Sequence, residues 1–256
     1  MHLGVFHYMK LNPNKRIGKV LYLVEGDVDE VLLLCHIFSD VLHYSVVTYD
    51  KRQDSVTCLS NPNDKYSKVF IVPMKYSAIS RIESSTDYIE YIYNKLNSYG
   101  LEKDECAKYL IFDRDKNSNS KQMFEHLFDI FKNSLDNDLE INGLLLVSYP
   151  CIQSFVCECF NDETQVSSSA LMKKHASIYN LKDIKEEELL IGSNNMIKTL
   201  LMMTEKSSFD VENLDNMTVV NKTIISFQDK YFEEKGTYNT LSLLFLSFID
   251  LGIIEI

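Results

Sequence analysis

The apolar positions of the first 150 residues fall into short continuous runs separated by amphipathic stretches. Continuous apolar runs are typical of strands buried on both faces, and they occur at residues 20–24, 69–72, 109–112 and 141–147. Apolar residues spaced i, i+3, i+4 and i+7 predict helices at about 89–96 and 124–131, and residues 28–38 read as a further helix. This alternation predicts an α/β fold with a mainly parallel sheet flanked by helices.

Two regions depart from this alternation. Residues 45–66 contain a β-like run and the turn-rich sequence Asn61-Pro62-Asn63-Asp64, which predicts either an additional hairpin or a loop insertion. After Pro150 there is no further proline and helical spacing dominates. We therefore expect an α/β domain over residues 1–155 and a mostly helical C-terminal region, residues 156–256, packed on it.

Charge and hydropathy limit the classes of function. The 26 Lys and Arg against 37 Asp and Glu give a net charge of −11, which opposes bulk attraction to nucleic acid or anionic lipid. A phosphate-bearing substrate would need local basic residues or bound divalent cations. The most apolar stretch is residues 241–249, well short of the ~20 residues of a spanning helix. The N-terminal sequence has no signal-peptide pattern, so we expect a cytoplasmic protein without membrane association.

The six cysteines indicate no metal site by their spacing. They form no CxxC pair and have no histidine at the usual ligand separation. In a chain without a secretion signal, such cysteines are expected to be reduced, partly buried thiols. The sequence therefore predicts neither a disulfide framework nor a zinc site.

Acidic residues follow two of the predicted strands. Glu25 comes after the first strand, and Asp113 and Asp115 come after the third. Ligands and catalytic groups gather at the carboxyl ends of parallel strands, and converging carboxylates suit Mg²⁺ or Mn²⁺. The alternative is that each of these residues is a helix N-cap or a turn residue.

The sequences VLYLVEGDVDEVLLL and KYLIFDRD resemble a Toprim domain over about residues 18–155. They are most similar to the small Toprim nucleases of bacterial anti-phage defence, namely RloB-like proteins and the effector of the phage anti-restriction-induced system, which are related to OLD-type nucleases. The resemblance implies a Toprim-like α/β fold and a toxic, Mg²⁺- or Mn²⁺-dependent endonuclease effector. Its substrate would be RNA, such as tRNA, or DNA.

The resemblance also implies roles for individual acidic residues. Glu25 corresponds to the family's essential glutamate, a metal ligand and proposed acid/base, and Asp113 and Asp115 correspond to its Asp-x-Asp metal ligands. Asp29 falls where OLD-type enzymes place a further acidic ligand, four residues after Glu25. Glu30 is the less favoured choice, because its side chain points about 100° further round the helix.

Three other residues enter the predicted site as substrate contacts. Gln153 ends the sequence Ser-Tyr-Pro-Cys-Ile-Gln, where relatives carry glutamate; glutamine either weakens metal binding, orients the substrate or is an inactivating substitution. Lys116 and Lys173 are candidate phosphate contacts, and the alternative for both lysines is simple exposure on the surface.

Partners and competing functions also follow from the motifs. Within the sequence there is no Walker motif, so any ATP dependence would belong to a partner. The resemblance implies an ABC-type or SMC-like ATPase that binds and restrains this chain; a homodimer is left open. A phosphatase of the haloacid-dehalogenase type, with Asp113 as nucleophile, is disfavoured because Asn117 stands where that motif has Thr or Val.

Overall fold

A computed structural model describes residues 9–26, 28–49, 56–74, 101, 106–116, 120–134, 143–206, 208 and 214–256. The strands of these residues are β1 Lys10–Leu11, β2 Lys19–Val24, β3 Ser45–Thr48, β4 Thr57–Asn61, β5 Asp64–Pro73, β6 Cys106–Asp113, β7 Lys132–Asn133, β8 Gly143–Tyr149, β9 Leu241–Ser242 and β10 Ile254–Glu255. The α-helices are α1 Asp29–His36, α2 Lys121–Ile130, α3 Gln153–Cys159, α4 Ser169–Ala176, α5 Glu186–Thr204, α6 Thr218–Lys235 and α7 Leu244–Asp250.

The chain divides into two compact units. The sheet unit comprises Arg16–Phe112 and Gln122–Leu146, and the helical unit comprises Met1–Lys15, Asp113–Lys121 and Val147–Ile256. This division differs from the boundary expected at residue 155. The short segment that carries Asp113 and Asp115 is grouped with the C-terminal helices rather than with the strands before it.

The strand order of the larger sheet is β3-β4-β5-β2-β6-β8-β7, and β9 pairs with β8. β2 runs parallel to both β5 and β6. The pairs β3–β4, β4–β5 and β7–β8 are antiparallel. The central strands thus form a parallel core with antiparallel edges, which confirms the predicted mainly parallel α/β fold.

The central strands β2, β6 and β8 are almost completely buried and mostly apolar, as is typical of strands that are covered on both faces. All residues from Val20 to Val24 are buried, and the Tyr22 ring stacks on Tyr109 of the neighbouring strand at a centroid separation of 5.2 Å. The helix predicted at 28–38 is α1 followed by a π-helical turn, Ile37–Val41. The helix predicted at 124–131 is α2. The helix predicted at 89–96 lies outside the described residues.

The described residues of the region 45–66 lie largely in the antiparallel strands β3, β4 and β5. β4 and β5 make a hairpin whose turn contains Pro62. Asn61 initiates this turn, because its side-chain oxygen accepts the backbone N–H of Asn63 at 2.8 Å. The hairpin alternative is therefore the one found.

The helical unit is built from α3 to α7 together with the β1–β10 pair. Helix α5 packs against α3 and α6. The approach of α5 to α3 is close at Gly192, where an added Cβ would lie 2.6 Å from the Cys159 sulfur and 3.1 Å from its backbone nitrogen. Among the described residues, none of the helices combines the length and the apolar composition needed to cross a bilayer.

Candidate functional site

Glu25 follows β2 directly in the sheet unit. Its backbone N–H donates to the carbonyl of Ile111 in β6 at 3.1 Å, which continues the parallel register beyond Val24. Asp29, at the start of α1, is exposed, whereas Glu30 is only 3% exposed. A Cβ at position 26 would overlap the Glu30 carboxylate, so Gly26 allows this carboxylate to lie against the chain as it leaves β2. Asp29 is thus the exposed carboxylate of the first turn of α1, and Glu30 is the buried one.

The carboxylates of Asp113 and Asp115 both contact the beginnings of helices. Asp113 Oδ1 accepts the backbone N–H of Ile152, the residue before α3, at 3.0 Å. Asp115 Oδ2 accepts the N–H of Ser169 in the first turn of α4 at 3.4 Å. Neither aspartate is the N-cap of these helices, since those positions are Ile152 and Ser168, but one oxygen of each aspartate satisfies an amide at a helix start. The same bonds hold both carboxylates in defined orientations.

The two basic residues next to Asp115, Arg114 and Lys116, contact α6 and the segment that follows it. Arg114 is 3% exposed and forms an ion pair with Asp229 at 3.6 Å. The backbone N–H of Lys116 donates to the Tyr238 hydroxyl at 2.6 Å. The Lys116 ammonium lies 3.3 Å from Glu233, an exposed carboxylate, so this lysine already has an anionic partner.

Of the other two candidate substrate contacts, one is buried and one is accessible. Gln153 is the first residue of α3 and is 8% exposed. Lys173 is exposed on α4. Both belong to the helical unit, as do Asp113 and Asp115, whereas Glu25 and Asp29 belong to the sheet unit.

A second cluster of functional groups lies where α3 ends. Asn161 adopts a left-handed conformation, with φ 55°. The backbone N–H of Asp162 donates to the backbone carbonyl of Cys157 at 3.0 Å, and the N–H of Asn161 donates to the carbonyl of Glu158 at 3.1 Å. These two bonds form a Schellman motif, in which the chain reverses after the helix. The reversal brings Asp162 back beside Cys157.

Helix α4 supplies the third member of this cluster. Its N-cap is Ser168, whose hydroxyl accepts the N–H of Leu171 at 3.3 Å. His175 lies in the last turn, and its Nε2 is 2.6 Å from Asp162 Oδ2. Ligand atoms of Cys157, Asp162 and His175 all lie within 4.8 Å of one another.

Hydroxyl groups fix the Asp162 carboxylate from two further directions. Thr164 donates to Oδ1 at 2.6 Å and lies 2.8 Å from His175 Nε2. Tyr179 donates to Oδ2 at 2.6 Å, and its ring stacks on Phe160 at a centroid separation of 4.5 Å. The carboxylate is therefore surrounded by side-chain donors, all from α4 or from the segments flanking it.

These contacts set the protonation of the cluster. Burial tends to raise the pKa of Asp162, but the hydrogen bonds from Thr164, Tyr179 and His175 outweigh it and lower the pKa. The bond to Asp162 raises the pKa of Tyr179 to about 12. Burial, with the nearby Asp162 and Glu158 charges, raises the pKa of the Cys157 thiol to about 12. The carboxylate is thus ionised at neutral pH, while the thiol carries its proton.

Cys157, Asp162 and His175 form a group that could hold a metal ion. Cysteine and histidine are thus brought together in space although their spacing in the sequence predicted no metal site. Spacing along the sequence could not reveal the pair, because 17 residues separate Cys157 from His175 and the contact depends on the chain reversal at Asn161. The available signal was Asn161 itself, since asparagine tolerates the left-handed conformation of a helix C-terminus.

Two surface depressions lie beside this cluster. A polar cleft of about 370 Å³ is lined by Glu158, Glu163 and Lys198 among others. Burial, followed by the nearby Glu163 and Asp162 charges, raises the pKa of Glu158 to about 7. A shallower groove of about 540 Å³ is lined by His175, Thr164 and the apolar side chains Leu171 and Ile178. His175 can therefore be reached from the solvent side.

Comparison of the chain with protein-family models, with curated proteins and with solved structures gave no match.

Proposed function

We propose that this chain is a metal-dependent nuclease of the Toprim type, which hydrolyses phosphodiester bonds of RNA or DNA. Glu25, Asp113 and Asp115 hold Mg²⁺ or Mn²⁺. The observation that carries the proposal is the parallel, in-register pairing of β2 with β6 at the centre of the sheet. Glu25 follows the first of these strands, and Asp113 is the last residue of the second.

The donor atoms of the proposed ligands are carboxylate oxygens, the type that a hard divalent ion prefers. When bound, such an ion supplies Lewis-acid polarisation of the phosphoryl group and a water that ionises near neutral pH. The hydrogen bond from Ile152 to Asp113 orients this carboxylate before any ligand arrives. Glu25 is assigned the role of proton carrier. Asp115 is assigned the role of offsetting the positive charge of the ion beside Asp113.

Substrate binding must overcome the net charge of −11. Lys173 is exposed and is assigned a phosphate contact. Lys116 is assigned a second contact, in which phosphate replaces Glu233 as the partner of its ammonium group. Gln153, which lies one residue after the Ile152 amide bonded by Asp113, is assigned the orientation of the substrate.

The test is cleavage of a panel of RNA and DNA substrates, tRNA included, with Mg²⁺ or Mn²⁺. Glu25→Gln and Asp113→Asn should each abolish cleavage, since both remove a charged ligand and keep the side-chain shape. Glu234→Gln is the matched control, because Glu234 is an exposed carboxylate on α6. Full activity in Glu25→Gln, with a thermal transition like that of the parent, would refute the proposed mechanism.

The identity of the fourth acidic ligand needs its own comparison. Asp29 is the ligand that the resemblance implies, but Glu30 is the buried carboxylate next to Gly26. The Mn²⁺ concentration giving half-maximal cleavage should rise in the variant that removes the true ligand. Asp29→Asn and Glu30→Gln therefore distinguish the two, and no change in either variant would limit the ligand set to three residues.

A specific observation supports a second candidate, a Toprim-fold subunit with little activity until an ABC-type or SMC-like ATPase releases it. Gln153 is neutral and buried in the first turn of α3, where the resembled family carries a carboxylate. Glutamine preserves the shape of that side chain without its charge, which would weaken metal binding. This candidate retains the role of a toxic anti-phage effector and adds control by a partner.

Two experiments separate the candidates. If the missing carboxylate limits activity, Gln153→Glu should raise cleavage at low Mn²⁺ concentration in the isolated chain. If a partner restrains the chain, co-expression with an ATPase encoded beside it should give a stoichiometric complex with less cleavage than the free chain. A fully active isolated parent that forms no such complex would leave only the first candidate.

A further inference from the structure

We propose that Cys157, Asp162 and His175 form a zinc-binding site that fixes α4 against the C-terminal end of α3. This site shares no residue with the acidic set of the proposed nuclease centre. Its ligands come from three consecutive segments: Cys157 from α3, Asp162 from the reversing loop and His175 from α4.

The donor set selects the class of metal. One thiol sulfur, one imidazole nitrogen and one carboxylate oxygen is a combination typical of Zn²⁺, whereas Mg²⁺ prefers oxygen ligands alone. The Cys157 sulfur also lies 3.7 Å from the thioether of Met172, so the sulfur side of the site is apolar and soft. Three protein ligands leave a fourth tetrahedral position, which water would fill.

The side chains need only small movements to take up the ion. Asp162 Oδ2 and His175 Nε2 are now 2.6 Å apart. Zinc–ligand bonds of about 2.0–2.1 Å at a tetrahedral angle would hold these atoms about 3.3 Å apart. Two coordinate bonds then replace one hydrogen bond. Coordination of Cys157 as a thiolate releases its proton to solvent, and binding through His175 Nε2 requires the proton on that nitrogen to leave to solvent or to be carried on Nδ1 instead.

The surroundings of the ligands resemble the outer shell of a metal site. Thr164 and Tyr179 both donate to the Asp162 carboxylate, and such partners orient a ligating carboxylate. On the other side, a small apolar core lies between α3 and α4 beneath the cluster, formed by Cys151, Cys157, Val166, Met172 and Ala176, with Tyr179 packed against it. An ion here would join this core to the loop.

The site would stabilise the part of the helical unit that also contacts the acidic pair. Asp113 bonds at the beginning of α3, and Asp115 bonds at the beginning of α4. Zinc at the opposite end of α3 would limit relative movement of the two helices. The inferred role is therefore structural, with the groove beside His175 providing access to the ion.

The first experiment measures metal binding by the tag-free full-length chain. Zn²⁺ titration should reach one ion per chain, and Co²⁺ should give a thiolate-to-cobalt charge-transfer band in the near ultraviolet. Millimolar Mg²⁺ should not displace either ion. Absence of stoichiometric Zn²⁺ binding, or a Co²⁺ spectrum without the thiolate band, would overturn the proposal.

Variants then test the ligands. His175→Gln should weaken Zn²⁺ binding on the order of 10²-fold or more, and Tyr179→Phe about 10-fold, as expected for an outer-shell partner. His126→Gln, on the exposed side of α2, is the matched control. Parent-like Zn²⁺ affinity in His175→Gln would exclude this site and indicate an adventitious ion bound elsewhere.

Cys157→Ser carries a risk of misfolding because Cys157 is buried. The structural role is therefore tested in the parent and in His175→Gln, whose mutated side chain is partly exposed. Added Zn²⁺ should raise the Tm of the parent and leave that of His175→Gln unchanged. An equal rise in both proteins would refute the assignment. None of these results depends on nuclease activity, so the two proposals can fail independently.

Discussion

The helical unit uses aspartate in two different settings. Asp113 and Asp115 accept hydrogen bonds from backbone amides at the starts of α3 and α4. Asp162 accepts from side chains, namely those of Thr164, Tyr179 and His175. A backbone amide only fixes the orientation of a carboxylate. Side-chain donors with a thiol nearby are also groups that can exchange protons or bind a ligand. The comparison shows that two kinds of carboxylate environment occur in one unit, one made of backbone amides and the other of ionisable and hydroxyl side chains.

The largest expected effect tests whether Asp113 does more than cap a helix. Asp113→Asn retains an oxygen for the Ile152 amide, so stability should change little while cleavage falls on the order of 10²-fold or more. Asp113→Ala loses the acceptor as well and should lower the free energy of unfolding by about 1–3 kcal/mol. Cleavage assays and urea unfolding measure the two effects separately.

Parent-like cleavage by the Asp113→Asn variant would contradict the proposed metal-ligand role of Asp113. The carboxylate would then serve only the start of α3, and the strand-end site would be structural. Asp183→Asn is a suitable control, because Asp183 is an exposed carboxylate in a short 3₁₀ helix, Leu181–Asp183.

The next effect concerns the side-chain shell of Asp162. Asp162→Ala leaves three donors without this acceptor and should lower the free energy of unfolding by about 1–3 kcal/mol. Tyr179→Phe keeps the stacking on Phe160 and removes one donor, so its cost should be smaller, about 0.5–1.5 kcal/mol. Equilibrium unfolding of both variants gives the order, and a larger loss in Tyr179→Phe than in Asp162→Ala would contradict this account of the hydrogen bonds.

A smaller effect is expected at Lys116. Its ammonium pairs with the exposed carboxylate of Glu233 and lies 5.5 Å from the Phe232 ring centroid. Surface pairs of this kind contribute about 0–1 kcal/mol, so Lys116→Met should be nearly as stable as the parent. If Lys116 contacts phosphate, the variant should bind nucleic acid more weakly and with a shallower salt dependence. Unchanged binding over a range of salt concentrations would assign this lysine to the ion pair alone.

The smallest effect comes from Asp64 in the sheet unit, which combines the two kinds of donor. It accepts from the Ser67 hydroxyl at 2.7 Å and from the Tyr66 amide at 3.2 Å. The Ser67 bond and then the Tyr66 bond lower the pKa of Asp64 from its ordinary value of 3.8. A lowered folded-state pKa contributes stability above the unfolded value, and this contribution is lost as the pH falls through the folded value.

Asp64→Asn should therefore lower the Tm slightly at neutral pH, and the difference from the parent should shrink as the pH falls below about 4. Thermal melts from pH 7 to pH 3 measure this. A difference that is constant over the range would mean that the hydrogen-bond geometry, rather than the charge, stabilises the hairpin.

The sequence predicted the central strands well because complete burial leaves a simple signature. An uninterrupted apolar run such as Val20–Val24 is compatible with few other elements of that length, and all five residues are buried. The hairpin at Asn61 was also foreseeable from its turn residues, although the sequence left a loop as the alternative. The π-helical turn after α1 could not be predicted, because its residues have ordinary helical spacing.

The two candidate sites also differ in how well the sequence predicts them. Glu25 and Asp113 are visible in the sequence because each follows an apolar run. The cluster around Asp162 is invisible in spacing, since it arises from the chain reversal at Asn161 and the packing of α4 on α3. The burial of the Glu30 carboxylate against Gly26 also depends on tertiary structure, so the sequence could not reveal it.

The close contact between Gly192 and Cys159 makes the spacing of α5 and α3 depend on side-chain volume at position 192. Even a methyl group there would meet the sulfur and backbone of Cys159, so α5 would have to move away from α3. Cys157 lies only two positions earlier on α3, and such a shift would be transmitted to its thiol. Side-chain volume at position 192 therefore offers a way to tune the geometry of the cysteine–aspartate–histidine cluster without altering any of its members.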